Sequence, residues 1–183
     1  MSIYLIRHGR TMANERFLYC GSTDLPLSEA GREALPQKRY AIGDVRFVIS
    51  GMRRTEETLQ LLFGDVPYEV ELRFREVDFG IFEMRSYKEL KEDPAYQTWL
   101  LGDNDANVPP GGESGNQMKR RVLEAFAQVQ DGTCIITHGG VIAAIMETLF
   151  PHEGKNRYDW QPKPGCGYVL EQGSYRVLDT DSV

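Results

Sequence analysis

The chain has 183 residues, of which 41% are hydrophobic and 26% are charged, and its formal net charge is −6. This length supplies the core of one domain, which we expect to span residues 1–183. The acidic balance argues against a nucleic-acid binder, which would present a basic face, and no apolar run approaches the ~20 residues of a membrane span.

In the first half of the chain, short apolar runs that predict strands alternate with amphipathic runs that predict helices. In chain order these are a strand over 2–6, a helix over 31–40, a strand over 45–50, a helix over 53–63 and a strand over 68–72. Ser28 is a typical N-cap residue for the first helix, and Gly64 ends the second helix.

From residue 73 to about 105 the signals are mixed, and two short helices are predicted over 86–92 and 94–101. Beyond this segment the alternation returns. The predicted elements are a loop over 108–112, an amphipathic helix over 113–130, a strand over 133–137, a helix over 141–150 and a hairpin with strands over 167–171 and 174–178.

This alternation of apolar strands and helices indicates an α/β fold: a three-layer sandwich whose mostly parallel central sheet is flanked by helices. In such a sheet, ligands bind outside the carboxyl ends of the strands. Residues that directly follow the predicted strands are therefore the first candidates for a functional site.

Two of the three histidines, His8 and His138, occupy equivalent positions, since each follows a short apolar strand and precedes a glycine. Because the ends of parallel strands lie at one edge of a sheet, we expect these side chains to meet in one cleft. Arg7 precedes the first histidine, and Arg53 and Arg54 follow the second strand. The planar guanidinium fork suits tetrahedral oxyanions, so the pattern predicts a site for a phosphoryl group.

The absence of two motifs limits the ways in which this site could handle a phosphoryl group. It has no phosphate-binding loop of the type GxxxxGK[ST] and no carboxylate cluster with metal-ligand spacing, so we expect neither a metal nor a cofactor. A phosphoryl site without a metal needs a protein nucleophile, and neutral imidazole can attack phosphorus. The leaving alkoxide needs a proton, for which Glu76, Asp78 and Glu83 are the local candidates.

Six sequence blocks, in order from residue 3 to about 148, resemble the histidine phosphatase superfamily, the phosphoglycerate mutase-like enzymes. They are Leu5-Ile6-Arg7-His8-Gly9-Arg10-Thr11 with Asn14, residues 21–31, residues 50–58, residues 75–83, residues 109–114 and Thr137-His138-Gly139-Gly140. One block alone would be a weak signal, whereas six in order are specific to the family.

The resemblance implies a role for each residue of the predicted cleft. By it, His8 is phosphorylated and then dephosphorylated by water. Arg7, His138 and a second arginine bind the phosphoryl oxygens. Glu76 protonates the leaving oxygen and then activates the water.

The second arginine is identified by its place in block 50–58, because the family's motif has it at the fifth position. This selects Arg54 over Arg53, which we expect to face solvent. The other phosphate or substrate contacts that the resemblance implies are Gly9, Asn14, Gly21, Ser22, Thr23 and Gly139. Arg10 departs from the family, which usually has glutamate or glutamine there. This extra cation could tune the rim for an anionic substrate or simply be solvated.

Two segments, residues 79–90 and 111–114, resemble one branch of the family, the α-ribazole phosphatases. This implies a phosphomonoesterase acting on a small phosphate ester, with α-ribazole 5′-phosphate as the candidate substrate. The alternatives are a phosphoglycerate mutase-type phosphoryl transferase, a broad-specificity sugar or nucleotide phosphatase, and a non-catalytic phosphate-binding module.

By the same resemblance, residues 73–105 form a small helical lid over the site. Its aromatic side chains could stack on a base or sugar, but we expect most of them to form the lid's own core: Phe79, Phe82, Tyr87, Tyr96 and Trp99. Three widely spaced cysteines without a CxxC pattern favour a reducing compartment, and the first residues lack the apolar stretch of a signal peptide. We therefore expect a cytoplasmic monomer or homodimer with no nucleic-acid or membrane partner.

Overall fold

A computed structural model describes residues 2–37, 40–103 and 105–179. These residues form six strands: β1 (Ser2–Arg7), β2 (Arg46–Ile49), β3 (Tyr68–Val70), β4 (Thr133–Thr137), β5 (Gly167–Glu171) and β6 (Ser174–Leu178). They lie in one sheet in the order β3-β2-β4-β1-β5-β6. β1 to β4 are parallel to one another, and the closing hairpin β5–β6 is attached antiparallel to β1. The predicted mostly parallel sheet is confirmed.

Strands β1 and β4 lie side by side at the centre of the sheet. Apolar residues near the carboxyl ends of both strands are fully buried on both faces of the sheet: Leu5, Ile6, Ile135 and Ile136. Arg7 is the register partner of Thr137 at the carboxyl ends of the two strands. The next residue of each strand, His8 and His138, therefore leaves the sheet at the same level.

The described residues also form eight α-helices: α1 (Met12–Glu15), α2 (Glu29–Ala34), α3 (Arg53–Phe63), α4 (Tyr87–Leu90), α5 (Pro94–Leu100), α6 (Gly115–Phe126), α7 (Gly139–Leu149) and α8 (Arg157–Trp160). Helices α6 and α7 pack on one face of the sheet against Leu5 and Ile135. Helix α3 packs on the other face, where Leu59 contacts the cluster around Ile136. These layers are the predicted three-layer sandwich. No helix of the described residues is long and apolar enough to cross a membrane.

Helices α4 and α5 lie in a separate unit with its own small core. Phe82, Leu90 and Tyr96 are at most 1% exposed and form a cluster distinct from the two sheet cores, with Tyr19 and Trp99 packed against it. Phe79 also packs against the cluster, whereas Tyr87 is 61% exposed. Most of the aromatic side chains of the segment thus form its core, as expected. Its action as a lid stays a prediction.

The predicted helix over 31–40 is wrong in its extent. Helix α2 begins after its predicted N-cap, Ser28, whose side chain accepts a hydrogen bond from the Gly31 amide. It ends at Ala34 and continues only as a 3₁₀ turn, Leu35–Gln37. Pro36 explains the early end, because proline lacks an amide donor and clashes with the carbonyl four residues back. Positions 38 and 39 lie outside the described residues. The helix predicted over 113–130 is also too long, since α6 spans only Gly115–Phe126. The other predicted elements are present with shifts of at most two residues at their ends.

Candidate active site

The two strand-end histidines meet, as the sequence predicts. Their ring centroids are 5.1 Å apart, and the exposed fractions are 6% for His8 and 1% for His138. The backbone amide of His8 donates to the Thr137 carbonyl at 2.9 Å, which continues the β1–β4 ladder into the site. The parallel pairing of the two strands therefore holds the rings together.

The tautomer of His8 is fixed by its neighbour in the chain. Nδ1 of His8 lies 2.6 Å from the carbonyl oxygen of Gly9. A carbonyl oxygen only accepts, so Nδ1 carries the proton and the lone pair belongs to Nε2. Burial, then Arg54 and Arg7, hold the pKa of His8 well below its usual range. The ring is therefore a neutral imidazole at pH 7, which is the nucleophilic form.

The ring of His138 is oriented by two polar side chains. Arg54 Nε donates to His138 Nδ1 at 3.3 Å, so the proton of this ring is on Nε2, which donates to Ser50 Oγ at 2.8 Å. Burial, followed by Arg54 and His8, also lowers the pKa of His138 well below its usual range. Both ring nitrogens are engaged, so a hydrogen bond to a phosphoryl oxygen requires Nδ1 both to release Arg54 and to take up a proton.

The guanidinium of Arg54 is held by a loop from another part of the chain. Nη1 donates to the Thr23 carbonyl at 2.9 Å and Nη2 donates to the Gly21 carbonyl at 2.8 Å. Arg54 is 1% exposed and lies in the first turn of α3, directly after strand β2. Arg53, the rejected alternative, is 58% exposed and pairs with Glu57 at 3.8 Å. The motif therefore selected the arginine that enters the cleft.

Glu83 binds the loop of residues 21–23 from its other side. Oε1 accepts from the amides of Gly21 and Ser22, both at 2.9 Å, and Oε2 accepts from Thr23 Oγ1 at 2.7 Å. The amide of Thr23 also points at Oε2, at 3.3 Å. Glu83 is thus a structural anchor rather than a candidate proton donor.

Polar backbone groups of residues 21–23 bind other parts of the protein. The implied role of Gly21, Ser22 and Thr23 was contact with phosphate or substrate. In the structure their amides bind Glu83, and two of their carbonyls bind Arg54. Their direct contact with a substrate stays a prediction, whereas their contact with the arginine is observed.

Gly9 binds protein partners in the structure, and its implied contact with phosphate stays a prediction. Its amide donates to Thr58 Oγ1 at 2.9 Å and its carbonyl accepts from His8, so both polar groups are engaged. Asn14 is the third residue of α1, and its Oδ1 accepts from the amide of Thr11 at 2.9 Å. This bond leaves the Nδ2 group as the donor that could assist at the phosphoryl site.

Arg7, at the end of β1, is held by a different part of the chain from the loop that holds Arg54. Its Nη1 donates to the Pro162 carbonyl at 2.8 Å, while its Nε is buried without a hydrogen-bond partner among the described residues. Gly139 packs closely here, since a Cβ at this position would lie 3.2 Å from the guanidinium carbon of Arg7. Burial lowers the pKa of Arg7, and nearby Glu76 partly offsets that effect. The unpaired Nε is a donor available for a phosphoryl oxygen.

The carboxylate of Glu76 lies against the N-terminus of α7. Oε2 accepts from the Gly140 amide at 2.9 Å, and Oε1 accepts from the Val77 amide at 3.0 Å. A Cβ at Gly140 would lie 2.4 Å from Oε1, so glycine is required for this approach. Asp78, the nearest rival, instead accepts from Ser22 Oγ and from the Gly80 amide. Of the three candidate acids, only Glu76 is placed beside Arg7 and α7.

Sequence reasoning missed the residues that hold the predicted ones. Thr58, Ser50 and Gly140 orient Gly9, His138 and Glu76, and the Pro162 carbonyl orients Arg7. Three of the four lie inside the quoted motif blocks, which indicated that they matter to the site but not what each one binds. Pro162 lies in none of the quoted blocks. In the part of the chain that the structure describes, no group of three or more potential metal ligands occurs.

The model of the histidine phosphatase superfamily (branch 1) matches residues 3–178. The chain therefore belongs to this superfamily, as its six blocks predict, and it is an enzyme with phosphatase activity. The adenosylcobalamin/alpha-ribazole phosphatase of Salmonella typhimurium strain LT2 is 31% identical over 185 residues, which cover 93% of this chain and 90% of that protein.

Two further relatives match over the whole length of this chain. A solved structure of a candidate alpha-ribazole-5'-P phosphatase from Escherichia coli str. K-12 substr. MG1655 has a TM-score of 0.87 at 25% identity, over 100% of this chain and 98% of that one. The Probable phosphoglycerate mutase GpmB of Cronobacter sakazakii is 29% identical over 210 residues, which cover 100% of this chain and 97% of that protein. The phosphatase and mutase branches are thus both similar to this chain.

Proposed function

We propose that this enzyme hydrolyses a small phosphate monoester through a phosphohistidine formed on Nε2 of His8. The observation that carries the proposal is the 2.6 Å hydrogen bond between His8 Nδ1 and the Gly9 carbonyl. It places the proton on Nδ1 and leaves the Nε2 lone pair to attack phosphorus. The lowered pKa of His8, caused by burial and by Arg54 and Arg7, keeps this lone pair unprotonated at pH 7.

The positive groups around His8 support binding of the phosphoryl oxygens. Arg7 offers a buried Nε without a partner among the described residues, and the Nε of Arg54 lies at the histidine pair, 3.3 Å from His138 Nδ1. The Nδ2 group of Asn14 completes the proposed donors, and His138 joins them once its Nδ1 has released Arg54 Nε and taken up a proton. Fixed donors of this kind stabilise the charge of a phosphoryl group in its transition state, because they need no reorganisation during the reaction.

Glu76 is the proposed acid and base. As the Nε2–P bond forms, the bond from phosphorus to the ester oxygen breaks, and the proton of the Glu76 carboxyl moves to that oxygen. The resulting carboxylate then takes a proton from water, whose oxygen bonds to phosphorus while the N–P bond breaks. Inorganic phosphate leaves, His8 is neutral again, and Glu76 is protonated for the next cycle.

The substrate that the relatives support best is α-ribazole 5′-phosphate. Its proposal rests on the name of the Salmonella relative and on the similar lengths of the two chains. The lid segment with its separate aromatic core is the part of the molecule that would contact the organic portion of such a substrate. We further propose a cytoplasmic monomer or homodimer that has no nucleic-acid or membrane partner, in keeping with the net charge of −6.

An assay with the His8→Ala variant tests the mechanism. We expect turnover of p-nitrophenyl phosphate and α-ribazole 5′-phosphate in the presence of a chelator, and a loss on the order of 10³-fold or more in the variant. Acid-labile, base-stable phosphoenzyme should form in the parent protein only. His152→Ala, in an exposed turn, is the matched control and should keep full activity.

Two results would contradict the proposal. Activity that survives His8→Ala, or that appears only with added metal, would exclude a phosphohistidine route. Turnover of 3-phosphoglycerate that depends on a bisphosphate primer, with no release of inorganic phosphate, would instead assign the chain to the mutases. A panel of sugar and nucleotide phosphates distinguishes a narrow phosphatase from a broad one.

A further inference from the structure

Arg121, in helix α6, donates all of its N–H groups to Glu113 and to the backbone around Glu76. Its Nε and Nη2 form a two-bond pair with Glu113, each at 2.7 Å. Its Nη1 donates to the carbonyls of Arg73 and Arg75, both at 2.7 Å, and Nη2 also donates to the carbonyl of Glu76 at 3.1 Å. Five N–H groups thus meet five acceptors, the full capacity of a guanidinium.

The three carbonyl acceptors belong to a segment of irregular backbone. A 3₁₀ turn, Leu72–Phe74, is followed by extended backbone at Arg75, so helix or sheet pairing does not satisfy these carbonyls. Phe74 anchors the segment in the sheet core at 1% exposed, and its carbonyl accepts from Thr137 Oγ1 at 2.7 Å. Between this anchor and Glu76, the Arg121 side chain supplies the hydrogen bonds that fix the backbone.

Glu113 completes the arrangement on the other side of the acid. Its carboxylate neutralises Arg121, and its backbone amide donates to the Asp78 carbonyl at 2.9 Å. The pair therefore holds the chain both before and after Glu76. Both side chains are largely shielded, at 24% exposed for Arg121 and 20% for Glu113, and α6 packs on the 3₁₀ turn that precedes the acid.

We propose that Arg121 and Glu113 form a positioning pair that holds the Glu76 carboxyl against the start of α7, where it can reach the leaving oxygen. This inference rests on the proposed function, in which Glu76 is the proton donor. The pair makes no hydrogen bond to His8 or His138, and its contacts with the site are those to the backbone around Glu76.

A leaving-group series tests this route of action. The Glu76→Gln variant should lose much more kcat/KM on an alkyl phosphate than on p-nitrophenyl phosphate, whose leaving group needs no proton. We expect Arg121→Lys, which keeps the charge but loses the fork, to lose tenfold or more on the alkyl ester and less than threefold on the aryl ester. Arg32→Lys, which alters an exposed pair with Glu57, is the control and should keep both rates.

A double variant separates positioning from general damage. Added to Glu76→Gln, Arg121→Lys should change the alkyl rate by no more than about twofold, because the group it positions is already disabled. Phosphoenzyme formation from p-nitrophenyl phosphate shows that each variant is folded. The inference fails if Arg121→Lys slows both esters equally, or if its effect is undiminished in the double variant. If Glu76→Gln itself shows no leaving-group dependence, the proposed role of Glu76 fails instead.

Discussion

At the residue scale, Glu83 determines where the second arginine points. Its two carboxylate oxygens accept from amides and a hydroxyl of residues 21–23. The carbonyls of the same loop then accept from the two terminal nitrogens of Arg54. A negative side chain thus aligns a neutral loop, and the loop aligns a buried positive side chain. The two charges do not form a direct ion pair, so the guanidinium keeps its charge for a ligand.

We expect Glu83→Gln to weaken phosphate binding about tenfold. Donors face both carboxylate oxygens, so the NH₂ group of glutamine meets an amide donor in either orientation, and hydrogen bonds to a charged acceptor contribute about 1.5–3 kcal/mol each. The loop then no longer fixes the fork of Arg54. The inhibition constant of inorganic phosphate and the KM for p-nitrophenyl phosphate measure this effect.

The matched control for Glu83 is Glu89, whose carboxylate also accepts from an amide and a hydroxyl, both of Ser86, but within the capping box of α4. Glu89→Gln should leave the phosphate inhibition constant within about twofold of the parent value. An unchanged constant in Glu83→Gln would show that the loop holds Arg54 without the carboxylate.

The sequence was sufficient for those site residues whose position follows from strand ends and motif spacing. His8, Arg7 and His138 follow from the apolar runs of β1 and β4, and Arg54 follows from its motif position. Their partners were not predictable in the same way, because a hydrogen bond such as that from Gly21 to Glu83 spans 62 positions. A local sequence pattern does not show such pairs, so the protein partners of Gly9 and of residues 21–23 were not predicted, while their contact with phosphate stays a prediction.

At the element scale, the sequence predicts an element best where local signals mark both of its ends. Helix α3 begins and ends at its predicted residues, since its apolar face and the terminal Gly64 define it locally. Helix α2 is shorter than predicted because Pro36 interrupts its pattern. The antiparallel addition of β5 beside β1 is a tertiary outcome, because apolar content alone does not choose a neighbouring strand.

Helices α4 and α5, which we propose to be a lid, allow a prediction at the element scale. Leu90 is fully buried in the small cluster with Phe82 and Tyr96, apart from the two sheet cores. Leu90→Ala removes up to about 2–5 kcal/mol of packing from this unit. We expect faster amide hydrogen exchange in residues 79–101 but not in β4, and a larger loss of kcat/KM on α-ribazole 5′-phosphate than on p-nitrophenyl phosphate.

Leu101→Ala is the control for the lid prediction, since Leu101 is 70% exposed and belongs to the same segment. It should leave exchange and both rates close to those of the parent protein. Equal acceleration of exchange in the lid and in β4 would mean that the lid unfolds only with the whole domain.

At the scale of the whole molecule, the site costs stability because the fold buries two uncharged imidazoles beside two guanidinium groups. Burial and the adjacent arginines lower the pKa of His8 and of His138 well below the ordinary value of 6.5. The unfolded chain therefore binds more protons than the folded chain over the pH range just below 6.5. Under this condition the free energy of unfolding rises with pH and levels off above about 6.5.

We accordingly expect the protein to lose stability as the pH falls from 7 to 5.5. Each histidine contributes a slope of at most about 1.4 kcal/mol per pH unit below 6.5, so the pair contributes up to about 2.8 kcal/mol per unit. Urea unfolding at several pH values measures this slope, and His8→Asn should remove about half of it.

The control is Leu59→Ala, on the buried face of α3. It should lower the free energy of unfolding by the same amount at every pH and leave the slope unchanged. A His8→Asn variant with the parent slope would show that the buried ring is not what opposes protonation. The same property serves the reaction, since a fold that penalises the charged ring keeps the Nε2 lone pair available in mildly acidic solution.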